Sequence, residues 1–107
     1  MKVVITSSGN SSSSMIDKRF GRAAYFALFD SESGELKFIE NSSRESVEGA
    51  GVASVQEVAS LGANKIVAWE FGNKVKTLLS SMEIEMVTIN EELSIEEIVE
   101  KLKSASL

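Results

Sequence analysis

Two runs, Val3-Val4-Ile5 and Tyr25-Phe-Ala-Leu-Phe29, are apolar on both of their alternating faces. A strand of that kind has to be covered on both sides, because either open face would leave a row of apolar side chains in water. Lys2 to Ser7 and Tyr25 to Asp30 therefore read as inner strands of a layered α/β structure rather than as a hairpin with one wet face.

The other elements follow in order. Ser31-Glu-Ser-Gly34 reads as a hairpin turn, with Gly34 supplying the positive φ that such loops need. Glu35 to Asn41 returns as a third strand of mixed polarity, nearer an edge. From Gly49 the period changes: Val52, Val55, Val58 and Ala59 fall at helical spacing, and Gly62 closes the helix. Lys65 to Trp69 is a fourth strand. A helix over Asn73 to Met82 has Val75, Leu78, Leu79 and Met82 on one face, and Ile84 to Ile89 is a fifth strand. Ser94 and Glu97 form a capping-box signature, opening a last helix with Ile95, Ile98, Val99 and Leu102 buried.

The order βββαβαβα implies a mixed sheet with helices on both faces. Strands one, two and three should be antiparallel neighbours, and right-handed crossovers place strands four and five parallel to strand one on its other side. The expected fold is α/β, a ribonuclease H-like three-layer domain with a five-stranded sheet of order 3-2-1-4-5 and strand two antiparallel. At 107 residues the whole chain, 1–107, reads as one domain.

In this topology one edge of the sheet collects most of the chemistry. The serine-rich loop Ser8 to Ser14 leaves from it, Asp17 to Arg22 enters strand two there, and Gly49-Ala-Gly51 and Glu70-Phe-Gly-Asn73 follow strands three and four. Ligands of open α/β sheets bind outside the carboxyl ends of the strands. Lys18, Arg19 and Arg22 surround Phe20 and Gly21, while a glycine-rich helix start leaves amides bare at the positive end of the dipole, which together favour an anion. Each feature also has a plainer structural reading. Gly49 and Gly51 suit close packing, Arg19 and Arg22 suit pairing with Asp17, Glu48 or Glu70, and Phe20 suits a core plug. The serines read as a mobile loop or as hydroxyls that close over a ligand. Met82 and Met86 read as core, and Met15 is the methionine near the edge.

Charge and composition narrow the functions. A net charge of −5 disfavours non-specific attraction to nucleic acid or an anionic membrane, and Glu91, Glu92, Glu96, Glu97 and Glu100 concentrate the acid at the far end of the chain. Val3 to Ile5 is too short for a signal peptide and no run spans a membrane, so a cytoplasmic location with no membrane partner is expected. With no cysteine and no histidine there is no thiolate, no imidazole base and no disulfide, and neither a catalytic residue nor a side-chain metal site is expected. A two-metal nuclease of this architecture needs a carboxylate on the first strand, and Lys2 to Ser7 carries none.

Asp17-Lys-Arg-Phe-Gly-Arg-Ala-Ala-Tyr-Phe26, then Asp30, Gly34 and Asn41, then Gly49-Ala-Gly51 with Gln56, resemble the nitrogenase iron–molybdenum cofactor biosynthesis accessory proteins. The resemblance implies a ribonuclease H-like protein that binds or carries an anionic iron–sulfur cluster, with or without molybdenum, or its precursor, and catalyses nothing. It implies a cofactor-assembly protein as partner and Arg19, Phe20, Gly21, Arg22, Gly49, Ala50 and Gly51 as the ligand-binding residues. The chain departs from that pattern at Trp69-Glu-Phe-Gly-Asn-Lys-Val75, where Glu70 would repel an anionic cluster unless paired with an arginine. The alternatives are a protein–protein adaptor without a small ligand, using its acidic last helix, and an enzyme acting on a phosphorylated small molecule.

Overall fold

β1 (Lys2–Ser7) lies at the centre of a five-stranded sheet of order β3-β2-β1-β4-β5. β2 (Tyr25–Asp30) pairs antiparallel with it, Ser7 opposite Tyr25, and β3 (Leu36–Glu40) pairs antiparallel with β2. On the other side β4 (Lys65–Ala68) and β5 (Glu85–Thr88) run parallel to β1. The structure, a computed structural model, describes residues 1–46 and 49–104; the expected pairing of an arginine with Glu48 lies outside them. The ribonuclease H-like order and the reversed second strand agree with the sequence expectation.

The two apolar faces of β1 and β2 are each covered, as their patterns require. Val4, Phe26 and Ile66 pack against α1 (Ala50–Ser60) and α2 (Asn73–Ser81) through Val55, Val58, Val75 and Leu79. Val3, Ile5, Ala27, Phe29 and Val67 pack against α3 (Ile95–Lys103) through Ile95, Ile98 and Val99. A fully buried side chain of this size stabilises by about 1.5–3 kcal/mol, against about 0–1 for an exposed ion pair, so these two cores and not the surface charges hold the layers together. Among the described residues no helix is long and apolar enough to cross a membrane.

Several details differ from the sequence reading. Ser54, not Val52, is fully buried on α1, while Val52 is only half-buried. Met82 is 43% exposed because it caps the end of α2 instead of lying on its core face. The serine-rich loop is not loose: Ser8 N–H donates to Met15 O at 2.9 Å, and α3 begins on the loop, Ile95 N–H donating to Ser14 O at 2.8 Å and Glu96 N–H to Ser12 O at 2.9 Å. The loop thus absorbs amides that a helix start would otherwise leave bare.

Helix ends follow local chemistry. Gly34 and Gly62 have φ of 76° and 80°, as the hairpin and the end of α1 demand. After α2 the same left-handed position is filled by Glu83, at φ 59°. A side chain there costs about 1–2 kcal/mol that glycine does not. Glu83→Gly should therefore raise stability by about 1 kcal/mol, which a thermal melt would read as a rise of about 4 °C.

The capping box of α3 is present, Glu97 N–H donating to Ser94 Oγ at 3.2 Å and Ser94 N–H donating to Glu97 Oε1 at 2.9 Å. These bonds, the Ser94 N–H first and its hydroxyl second, hold the Glu97 carboxyl below the usual glutamate range. A lowered carboxyl pKa gives stability that is complete above the ordinary value and disappears as pH falls through the lowered one. Ser94→Ala should cost about 1 kcal/mol at neutral pH, and NMR titration should find Glu97 ionising below the other exposed glutamates.

Candidate functional site

Asp17 organises the basic loop. Its backbone pairs with Thr6 at the end of β1, and its buried carboxylate accepts the N–H of Arg19 at 3.0 Å and of Ala24 at 3.3 Å. Between those anchors the side chains alternate: Phe20 and Ala23 enter the core beneath α1 and α2, while Arg19 and Arg22 stay exposed. Phe20 is 5% exposed and stacks at 6.1 Å from Phe26 and 5.9 Å from Phe71, so it plugs the core and floors the cleft at once.

Gly21 lies directly on the first turn of α1. A Cβ there would come within 2.7 Å of Gly51 N and 2.8 Å of Gly51 Cα. The Gly21 carbonyl accepts Asn41 Nδ2 at 3.1 Å and Ser54 Oγ at 3.2 Å, tying the loop to the end of β3 and to α1. Gly49, the N-cap residue, has φ 70° and ψ 20°, a left-handed conformation that brings the chain into the helix with no side-chain cap.

These contacts leave an open cleft of about 600 Å³ lined by Lys18, Arg19, Phe20, Gly21, Arg22, the start of α1 from Gly49 to Val52, Glu70, and the start of α2 from Gly72 to Val75. Arg19, Phe20, Gly21, Arg22, Gly49, Ala50 and Gly51, singled out from the sequence, all line it. The serines of Ser8 to Ser14 and Met15 do not; Met15 bridges to Ser94 instead.

The sequence places Glu70 to Asn73 at this edge, but the start of α2 was not among the expected ligand-binding residues. Neither α1 nor α2 has a side-chain cap or an acidic residue in its first turn, whereas α3 has both. Among the described residues the N–H groups of Ala50, Gly51, Val52, Asn73, Lys74 and Val75 have no hydrogen-bond acceptor. Two helix starts with unsatisfied donors thus open on one cleft, and Lys74 adds a cation where the dipole disfavours it. A lysine in a first turn, together with no Ser, Thr or Asp before it, is the sequence signal that could have drawn attention to this end.

Among the described residues the cations are only partly neutralised. Arg22 Nη1 donates to the Arg44 carbonyl at 2.8 Å, and Arg22 makes no ion pair among the described residues. Arg19 Nε lies 3.5 Å from Asp17 Oδ1, the pairing considered from sequence, but the arginine side chain is 67% exposed. Lys18 Nζ is 2.7 Å from Glu92 Oε1 and 4.8 Å from the centre of the Trp69 ring. Lys74 and Glu70 make no ion pair among the described residues.

What the fold and cleft define is a ribonuclease H-like α/β protein with a preformed, cation-lined opening at the carboxyl ends of its strands. The chain belongs to the dinitrogenase iron-molybdenum cofactor family, whose model matches residues 1–105. It is 30% identical over 78 residues to an uncharacterized protein of Methanocaldococcus jannaschii, a match covering 70% of this chain and 66% of that one, so just under two thirds of the relative. The apo form of the orange protein from Desulfovibrio gigas superposes with a TM-score of 0.90 at 26% identity, covering 97% of this chain and 88% of that chain. A Thermotoga protein of the DUF35 family, solved by NMR, superposes with a TM-score of 0.82 at 29% identity, covering 96% and 87%.

Gly21→Ala tests whether the cleft is built as described. The added methyl meets backbone rather than a flexible side chain, so the loop must lift from α1 at a cost of about 1–3 kcal/mol. Urea denaturation should show that loss, and the amide signals of Ala50 and Gly51 should move in the folded variant.

Proposed function

We propose that the chain binds and carries an anionic iron–sulfur or iron–molybdenum type cluster, or a precursor of one, and performs no chemistry on it. The observation that carries this reading is the meeting of two uncapped helix starts with Lys18, Arg19, Arg22 and Lys74 around one cleft. Bare amides and guanidinium groups stabilise negative charge that is spread over several atoms, and they do so without needing to deprotonate or to ligate. The family and the likeness to the orange protein point the same way.

The donor set decides how such a cargo would be held. The sequence has no histidine and no cysteine, and no group of three or more His, Cys, Asp or Glu residues that could hold a metal occurs among the described residues. A bare metal ion or an incomplete cluster would find too few ligands here. The fitting cargo brings its own sulfide or oxide ligands and presents their negative charge to the cleft. Arg19 and Arg22 would clasp one side of it, and the amides of Ala50, Gly51, Asn73 and Lys74 the other. Binding by charge at an open cleft suits a carrier, because the cargo leaves without breaking a network of protein–metal bonds, for delivery to a cofactor-assembly protein.

Anaerobic incubation with ferrous iron, sulfide and molybdate, followed by desalting, should leave a visible absorption band on the protein. The paired change Arg19→Gln with Arg22→Gln should remove most of it, and salt near 0.5 M should weaken retention, since exposed charges are screened within about 10 Å at a fifth of that strength. Colourless protein, with the amide signals of Gly49 to Gly51 unmoved, would contradict the proposal.

A further inference from the structure

Among the described residues Glu70 is the one carboxylate lining a cleft that also presents four cations and two helix starts. It is exposed and makes no ion pair among the described residues. Its neighbours hold its backbone in place. Trp69 packs with the core on the α3 side, its carbonyl accepts Asn90 Nδ2 at 2.6 Å, and Lys18 covers its ring. Phe71 enters the opposite core, 8% exposed and 5.9 Å from Phe20. The chain therefore turns at Glu70 from one layer to the other, two residues before Gly72, the N-cap of α2. These contacts fix the backbone of Glu70 at the rim of the cleft, within reach of whatever the cleft holds.

For a plain oxyanion this placement is adverse. Sulfate offers a carboxylate neither a proton nor an open coordination position, so only repulsion remains. An anion containing a metal with a replaceable ligand meets the same group differently: the carboxylate oxygen is then a ligand, and iron accepts it. The sign of the interaction depends on what the anion presents.

We propose that Glu70 is the specificity-determining residue of the cleft, turning away simple oxyanions and admitting a metal-containing anion whose metal its carboxylate ligates. The proposal rests on the carrier reading above and narrows its cargo to anions with a metal at their surface. The cations supply affinity for negative charge in general, and Glu70 discriminates among its sources.

Glu70→Gln keeps shape and length and removes the charge; since the side chain is exposed, its melting temperature should match that of the parent protein. Titration with sulfate, followed at the amides of Gly51 and Asn73, should show the variant binding about three- to tenfold tighter. After reconstitution with iron, sulfide and molybdate, the variant should retain less than half the metal held by the parent protein, a change of opposite direction. Tighter binding of both classes would overturn the proposal, leaving Glu70 as a repulsive charge only, and so would no change in either. Parent protein that takes up neither class overturns the carrier reading itself, an outcome distinct from an insensitive Glu70 variant.

Discussion

The cleft depends on the contact between Gly21 and the first turn of α1. Only a residue without a side chain can bring the basic loop within 2.7–2.8 Å, measured from the position of a notional Cβ, of the Gly51 backbone. The carbonyl of the same residue is held by Asn41 and Ser54, and Asn41, 1% exposed, also accepts the Ser43 N–H at 3.0 Å through its side-chain oxygen. One backbone group therefore joins the entry to β2, the exit from β3 and the body of α1. With Gly21 pinned and Phe20 and Ala23 buried, Arg19 and Arg22 are left at the surface, where they line the mouth of the cleft and, with Arg44 and Glu45, a smaller hollow beside it. The arginines are placed by packing, not by their own ion pairs.

The three helices show how differently a protein can treat the same backbone need. α3 begins with a full complement of acceptors, from the serine loop, from Ser94 and, in reverse, from Glu97, and carries Glu96 and Glu97 in its first turn. α1 and α2 begin on Gly49 and Gly72 with neither cap nor acid, and both face the same opening. Leaving those donors to solvent, and placing Lys74 against the dipole, lowers stability slightly at a site where α3 proves that capping was available to the fold. An overall charge of −5 makes this local concentration of cations more pronounced, since it keeps the rest of the surface unattractive to anions.

The fold was legible because the apolar patterns were unambiguous. Val3 to Ile5 and Tyr25 to Phe29 demanded cover on both faces, the hairpin at Gly34 set the direction of β3, and the Ser94–Glu97 pair marked the start of α3. The arginine–glycine half of the cleft was legible too, because topology alone brings Asp17 to Arg22 and Gly49 to Gly51 to one edge. What sequence could not show was which helices share a face. Only with α1 and α2 together on one side does the start of α2 become part of the same cleft. Buried polar residues were equally hidden: Ser54 and Asn41 score as surface in any periodicity, yet they are the inner braces of Gly21. The serine loop was misread because the amides that donate to its carbonyls lie at the start of α3, some eighty residues away in the chain.

Anomalous diffraction from crystals of the metal-loaded protein, collected at the iron and molybdenum absorption edges, would locate the cargo directly. The account places the peaks inside the opening, flanked by the amides of Gly51 and Asn73 and by the guanidinium groups of Arg19 and Arg22, with a carboxylate oxygen of Glu70 next to a metal. Peaks elsewhere on the surface, or arginines turned out toward solvent around an empty cleft, would contradict it.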